Sequence, residues 1–186
     1  MVAHPTSTIL SVEEYLAFER QSSDKHEYVD GRLYAMAGGT SAHDRIGNNV
    51  RTALDTYFGD GPCAVHGPDM RLRTSPTIYY YPDAFVTCDE VIDPTADELT
   101  TARLVVEVLS DSTEAKDRGD KFANYQTLPA VEEYVLVDGR QRAVERFRRA
   151  ANNLWTYQRY GPQDTVTLES IGLVVPVAAL YRNSML

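Results

Sequence analysis

The stretch from Arg103 to Phe122, RLVVEVLSDSTEAKDRGDKF, opens as an apolar strand and closes as a helix. Within LVVEVL a single carboxylate, Glu107, interrupts the apolar run. Removing an unpaired carboxylate from water is costly, so such a charge is expected to be paired or to hold a metal. Strand alternation puts Glu107 on one face with Val105 and Leu109, and Leu104, Val106 and Val108 on the other. The helix expected from Ser112 to Thr127 turns back over this strand. Counted back from Ser110, Glu107 lies roughly 10 Å from the strand end at ~3.3 Å per residue. Counted from Thr113, Lys121 lies about 12 Å along a helix at ~1.5 Å per residue. The two are level, and a lysine side chain spans the gap. Gly119, which costs about 1 kcal/mol inside a helix, is expected to let that helix pack closely on the sheet. Asp117, one helical turn before Lys121, either supports it or forms an ordinary surface ion pair with it.

A second carboxylate lies in YYYPDAFV, from Tyr79 to Val86. Pro82 has no N–H for a central ladder, so a bulge or edge position is expected there, re-aiming Asp83. Asp83, Phe85 and Thr87 then share a strand face. Two acids on adjoining strands among apolar neighbours repel unless a cation lies between them, and such a pair suits Mg²⁺. Plainer readings stay open: Asp after Pro is a common turn, and Glu107 could pair with an arginine or face a water-lined edge.

Around this centre the chain reads as mixed α/β. SVEEYLAFER opens a short helix on a capping box, Ser11 with Glu14. HEYVDGRLYAMA is a hairpin turning at Asp30-Gly31, and EYVLVDGR from Glu133 carries a second Asp-Gly hairpin signal. A longer helix follows, with Ser41 as its cap and Ile46, Val50, Ala53, Leu54 and Tyr57 on one face. Strands are expected at CAVHG, DMRLRT, TIYYYPDAFVTCD, RLVVEVLS, EEYVLVD, QRAVERFRR, NLWTYQRY and DTVTLES, and a short helix in VPVAALYRNS. This order predicts a mixed central β-sheet flanked by helices, with extra hairpins, in a single domain over residues 1–186.

The formal charge of −9 removes the global electrostatic drive that nucleic-acid binding normally uses. Five arginines in RQRAVERFRR, Arg140 to Arg149, form the one visible basic run, with Arg71 and Arg73 a smaller one. Charged residues on an edge strand, which block aggregation, are the expected explanation of that run. The longest apolar run, IGLVVPVAAL, is too short to span a bilayer. MVAHPTSTIL shows no secretory pattern, so a cytoplasmic protein is expected. Cys63 and Cys88 do not make a disulfide framework and read as reduced thiols. His4, His26 and His66 show no ligand spacing.

YYYPDAFVTCD, LVVEVLSDST, DRGDKFANY and EEYVLVDG, together with HEYVDGRLYAMAG and SAHDRIGNNV, resemble the Uma-type family of bacterial restriction endonuclease-like proteins. That family is similar to the PD-(D/E)XK nuclease superfamily, whose fold is a mixed sheet flanked by helices. The superfamily lysine usually stands two residues after the second acid. Leu109 occupies that position here, so the resemblance implies a lysine moved onto the helix, at Lys121. The usual Trp of EYW is replaced by Val135, which reads as a core residue.

The resemblance implies a metal site at Asp83 and Glu107, assisted by Glu27 from the first hairpin. Lys121 would orient or deprotonate water, His43 would contact substrate or serve simply as a capping residue, and Asp117 would support Lys121. The implied cofactor is Mg²⁺ or Mn²⁺, the implied substrate DNA, and a homodimer would supply two half-sites. Two alternatives remain: a non-catalytic nucleic-acid-binding or regulatory protein on the same fold, and a hydrolase of another phosphoester.

Overall fold

A computed structural model of the chain describes residues 9–36, 38–88 and 92–186. Residues 1–8, His4 among them, and Asp89 at the end of TIYYYPDAFVTCD lie outside the described residues. Helix α1 (Val12–Glu19) leads into the hairpin β1 (His26–Val29) and β2 (Arg32–Ala35), then the long helix α2 (Ser41–Phe58). Strands β3 (Cys63–His66), β4 (Arg71–Ser75), β5 (Ile78–Tyr80), β6 (Ala84–Cys88), β7 (Glu98–Leu99) and β8 (Leu104–Leu109) follow. From β8 the chain runs through α3 (Glu114–Lys116), a π-helical turn (Asp117–Lys121) and α4 (Phe122–Gln126). It ends with β9 (Glu133–Asp138), β10 (Val144–Arg149), β11 (Trp155–Tyr160), β12 (Thr165–Leu168), β13 (Leu173–Pro176) and α5 (Val177–Leu180).

The larger sheet has the order β11-β10-β9-β8-β6-β3, and a second has the order β2-β1-β5-β4-β7. In the larger sheet β8 and β9 are parallel and the other pairs antiparallel, so the sheet is mixed as expected. A parallel pair requires a crossover, and the helix carrying Lys121 is that crossover. All six residues of β8 are buried, because both sheet faces are covered. On one face Ile46, Val50 and Leu54 of α2 pack with Leu104, Val106 and Val108, together with β12, β13 and α5. On the other, Phe85, Val105 and Leu109 meet Tyr125, Leu128 and Tyr134 under the crossover helix. No helix among the described residues is long and apolar enough to cross a membrane.

Several local expectations change. TIYYYPDAFVTCD is two strands in two sheets rather than one bulged strand: β5 ends at Tyr80 and β6 begins at Ala84. Pro82, which cannot donate to a ladder, lies in the crossing between sheets. The cap of α2 is Thr40, whose hydroxyl accepts from the His43 N–H at 3.2 Å, and Ser41 is the first helical residue. The i,i+4 line Ile46–Val50–Leu54 continues to Phe58, so Tyr57 turns off it and is half exposed. Cys63 and Cys88 are not free thiols: they face each other across β3 and β6 and are joined by a disulfide. A separation of 25 residues hides a pairing that the strand register makes immediate.

The glycines also divide. Asp30 and Gly31 both have positive φ, 47° and 90°, as a two-residue hairpin turn requires. Gly139 has another role: its N–H donates to the Leu109 carbonyl at 3.0 Å, and an added Cβ would lie 2.4 Å from that oxygen. Gly139→Ala is therefore expected to cost about 1–3 kcal/mol through overpacking, read as a lower urea midpoint at unchanged slope. An unaltered midpoint would mean that the ends of β8 and β9 move apart freely. Gly119 does not serve close packing, because it is exposed and an added Cβ would meet nothing within 4 Å.

Candidate active site

Alternation along β8 turns Glu107 toward the crossover helix, and the helix returns Lys121 to it. Lys121 Nζ lies 3.0 Å from Glu107 Oε1, 2.7 Å from Glu27 Oε1 and 3.3 Å from Asp117 Oδ1. Both Asp117 and Lys121 are buried, so this is not a surface pair. They lie in the π-helical turn, whose wider winding sends residues inward that a regular helix would spread around its circumference. Tyr134 donates its hydroxyl to the Asp117 carbonyl at 2.9 Å, and Tyr125 donates to Glu107 Oε1 at 2.8 Å.

Asp83 enters from just before β6. The antiparallel register pairs Ala84 with Val106, so one step further Asp83 faces Glu107. Asp83 Oδ2 accepts the Val108 N–H at 2.7 Å, and Arg51 of α2 donates to the Asp83 carbonyl at 2.9 Å. His43 Nε2 lies 2.9 Å from the Val108 carbonyl and 3.5 Å from Asp83 Oδ2. Glu27 comes from β1 in the other sheet, with Lys121 on one oxygen and Lys116 Nζ 2.5 Å from the other. Glu27, His43, Asp83, Glu107, Asp117 and Lys121 all line one cleft of about 450 Å³.

The cleft is acidic. Burial pushes the Glu107 carboxyl up to about 8; Lys121 opposes this, while Asp117, Asp83 and Glu27 add to it. Burial likewise raises Asp83, partly offset by His43. Burial alone would raise Glu27, but Lys121 and Lys116 together hold it below the usual carboxylate range. For Lys121, burial works against the charge, yet Glu107, Glu27 and Asp117 hold its pKa well above that of an ordinary lysine. One ammonium serves three carboxylates, so the lysine stays charged and Glu107 is the member that gives way.

Five carboxylates line the cleft; Asp111 is paired with Arg140, and the other four (Glu27, Asp83, Glu107, Asp117) face two lysines (Lys116, Lys121), leaving two negative charges in excess when all are ionised. Among the described residues no group of three or more His, Cys, Asp or Glu side chains is arranged to hold a metal ion. Mg²⁺ does not need such a group, since it is commonly held by one or two carboxylates with waters and substrate phosphates. Asp83 and Glu107 fit that description and the excess charge. Both oxygens of Glu27 are engaged by lysines.

Sequence reasoning overlooked Lys116, Tyr34 and Tyr81, which also line the cleft. On a regular helix Lys116 and Lys121 would point about 140° apart at 3.6 residues per turn, so their spacing gave no signal. The π-helical turn removes that divergence. Tyr125, one turn beyond Lys121, stands at helical spacing from it. The basic run is not a free surface. Arg146 is buried against the Thr167 carbonyl, Gln158 and Glu169, and Arg148 pairs with Glu169. Arg149 caps three carbonyls, Arg142 donates to the Leu186 carbonyl, and Arg140 binds Asp111, Glu114 and Asp138. β10 lies inside its sheet between β9 and β11, so protection of an edge is not the role of these arginines. Arg71 and Arg73 pair with Asp97 and Glu98.

A mixed sheet whose parallel crossover closes over paired acids and a lysine has the form of a restriction endonuclease-like protein. The comparisons with known proteins agree. The Uma2 family model, described as "Putative restriction endonuclease", matches residues 12–178, and the chain belongs to that family. Uncharacterized protein slr1290 of Synechocystis is 37% identical over 98% of this chain and 98% of its own length. Uncharacterized protein sll1609 of the same organism is 32% identical over 83% of this chain and 89% of its own. A solved structure from Anabaena variabilis, described as "a putative nuclease belonging to DUF820", matches with TM-score 0.78. It covers 95% of this chain and 99% of that one at 16% identity, a likeness of fold.

Proposed function

We propose that the protein is an endonuclease that hydrolyses phosphodiester bonds of DNA with the help of Mg²⁺ or Mn²⁺. One observation carries this reading: the helix delivers Lys121 to within 3.0 Å of Glu107, on the strand that Asp83 faces. Asp83 and Glu107 would hold the cation. When bound, it supplies polarisation of a phosphoryl oxygen and acidification of a water. Lys121 keeps its proton at neutral pH, so it acts as a fixed positive charge that orients water and offsets charge growing on the phosphate, not as a base. Glu27 and Asp117 hold that ammonium in place, and the Tyr125 hydroxyl fixes the Glu107 rotamer. His43 braces the Val108 carbonyl beside Asp83. A homodimer would present two such clefts to the two strands of a duplex.

The test is plasmid nicking at low salt with Mg²⁺ or Mn²⁺, comparing wild type with Glu107→Gln. Low salt is needed because the chain is acidic. The expected result is cleavage by the wild type that falls at least about a hundred-fold in the variant, the scale of losing a charge-stabilising group. Equal cleavage by both would assign the activity to a contaminant. No cleavage by the wild type would favour the second reading, a non-catalytic binding or regulatory protein on the same fold. A cleft of about 450 Å³ is also of small-ligand size, the feature that favours hydrolysis of another phosphoester.

A further inference from the structure

Two lysines share the Glu27 carboxylate, but they are held very differently. Lys121 lies on the cleft floor, its side chain 7% exposed and facing three acids. Withdrawing it would leave buried carboxylates without a counter-ion, which is strongly unfavourable. Lys116 enters from the wall. Its side chain is 26% exposed and has one carboxylate partner among the described residues, Glu27 Oε2 at 2.5 Å. Its ammonium stands 4.1 Å from the centroid of the Tyr34 ring and 5.6 Å from that of Tyr80, a favourable seat for a cation. When Lys116 leaves Glu27, Lys121 remains 2.7 Å from the other oxygen of that carboxylate, so no buried charge is stranded.

Resting on the nuclease reading, we propose that Lys116 is the residue of the cleft that binds the substrate phosphate, moving from Glu27 to the phosphodiester while Lys121 stays fixed. The exchange is balanced: one anion replaces another at the same ammonium, and Glu27 keeps a counter-ion throughout. Tyr34 and Tyr80 seat the ammonium at the wall of the cleft before the exchange. The assignment also bears on how this acidic chain meets a polyanion. Its arginine run is paired internally, whereas Lys116 faces the cleft with a partner it can relinquish.

The experiment is fluorescence anisotropy of a labelled short DNA, single-stranded and duplex, titrated with the full chain in Ca²⁺ at a series of salt concentrations. Wild type, Lys116→Gln and Lys116→Arg are compared, with thermal melts to confirm that each variant folds. The expected result for Lys116→Gln is roughly ten-fold weaker binding at low salt, the scale of one charge-assisted contact. The slope of log affinity against log salt should become shallower by about one, the signature of a lost phosphate contact. Lys116→Arg, which keeps the charge, should restore the slope. A structural ion pair to Glu27 would move the melting temperature and leave the slope untouched. Wild-type binding with an unchanged slope in Lys116→Gln overturns this assignment and leaves the nuclease reading standing. No binding of either DNA by the wild type overturns both.

Discussion

Lys121→Met is expected to abolish cleavage and to lower stability by about 3–5 kcal/mol, the cost of removing one partner from a buried ionic cluster. The effect is large because three carboxylates, Glu107, Glu27 and Asp117, share this one ammonium. Methionine preserves the length and apolar stem of the side chain, so the loss reports the charge and not a cavity. Removing Glu107 as well should return part of the stability. Glu107→Gln combined with Lys121→Met is therefore expected to be more stable than Lys121→Met alone, while remaining inactive. Urea denaturation of both variants, with Glu107→Gln alone to complete the cycle, measures this coupling. A single Lys121→Met variant with the wild-type midpoint would show that the cluster takes up protons or water at no cost, and would remove Lys121 from the charge balance proposed for the site.

In the absence of divalent cations, stability is expected to fall as the pH rises from about 5 to about 8. Glu107 carries the effect, its carboxyl pushed up to about 8 from an ordinary value of 4.5 by burial among other acids. Between those values the folded protein binds more protons than the unfolded chain. The stabilisation is therefore complete below the unfolded pKa and is lost as the pH rises through the folded one. Asp83, raised by burial, acts in the same direction. Glu27 is lowered, so its contribution is present above its unfolded value and is lost only as the solution becomes more acid. The raised pKa of Lys121 keeps that residue charged throughout this window. The total change should be on the order of a few kcal/mol. Urea midpoints measured across the range in EDTA test it, and Glu107→Gln should flatten the profile. Adding Mg²⁺ should restore stability most at the alkaline end, where the carboxylates it would neutralise are ionised. A flat profile for the wild type in EDTA would mean that Glu107 is ionised and fully compensated by Lys121 across the range.

Much of the candidate site is legible in the sequence. Glu107 stood out as the one carboxylate in a continuous apolar strand, and the level of Lys121 followed from the rise of a strand and of a helix. Both lie where that counting put them, 3.0 Å apart. Asp83 was marked by the proline before it, although Pro82 proved to separate two sheets rather than to bulge one strand. Lys116 was invisible because a regular helix turns it away from Lys121, and nothing in the local residues announces a π-helical turn. The arginine run misled in the opposite direction. Its charges are plain in the sequence, but whether a charge is free depends on partners from β12, the crossover helix and the chain end.

Sequence by itself determined the periodicities: which residues alternate, where caps and Asp-Gly turns fall, and which carboxylates lie in apolar surroundings. These are local properties, set by backbone sterics and by the cost of burying charge one segment at a time. The tertiary structure alone decided what each of those charges meets. Glu27 and Glu107 come from strands in two different sheets and Asp117 from the crossover turn, and only their convergence makes one lysine answer three acids. Cys63 and Cys88 pair because β3 and β6 are neighbours in register. Coulomb interaction and hydrogen bonding act over a few ångströms in space, whatever the distance along the chain, so the balance of charge in the cleft belongs to the fold.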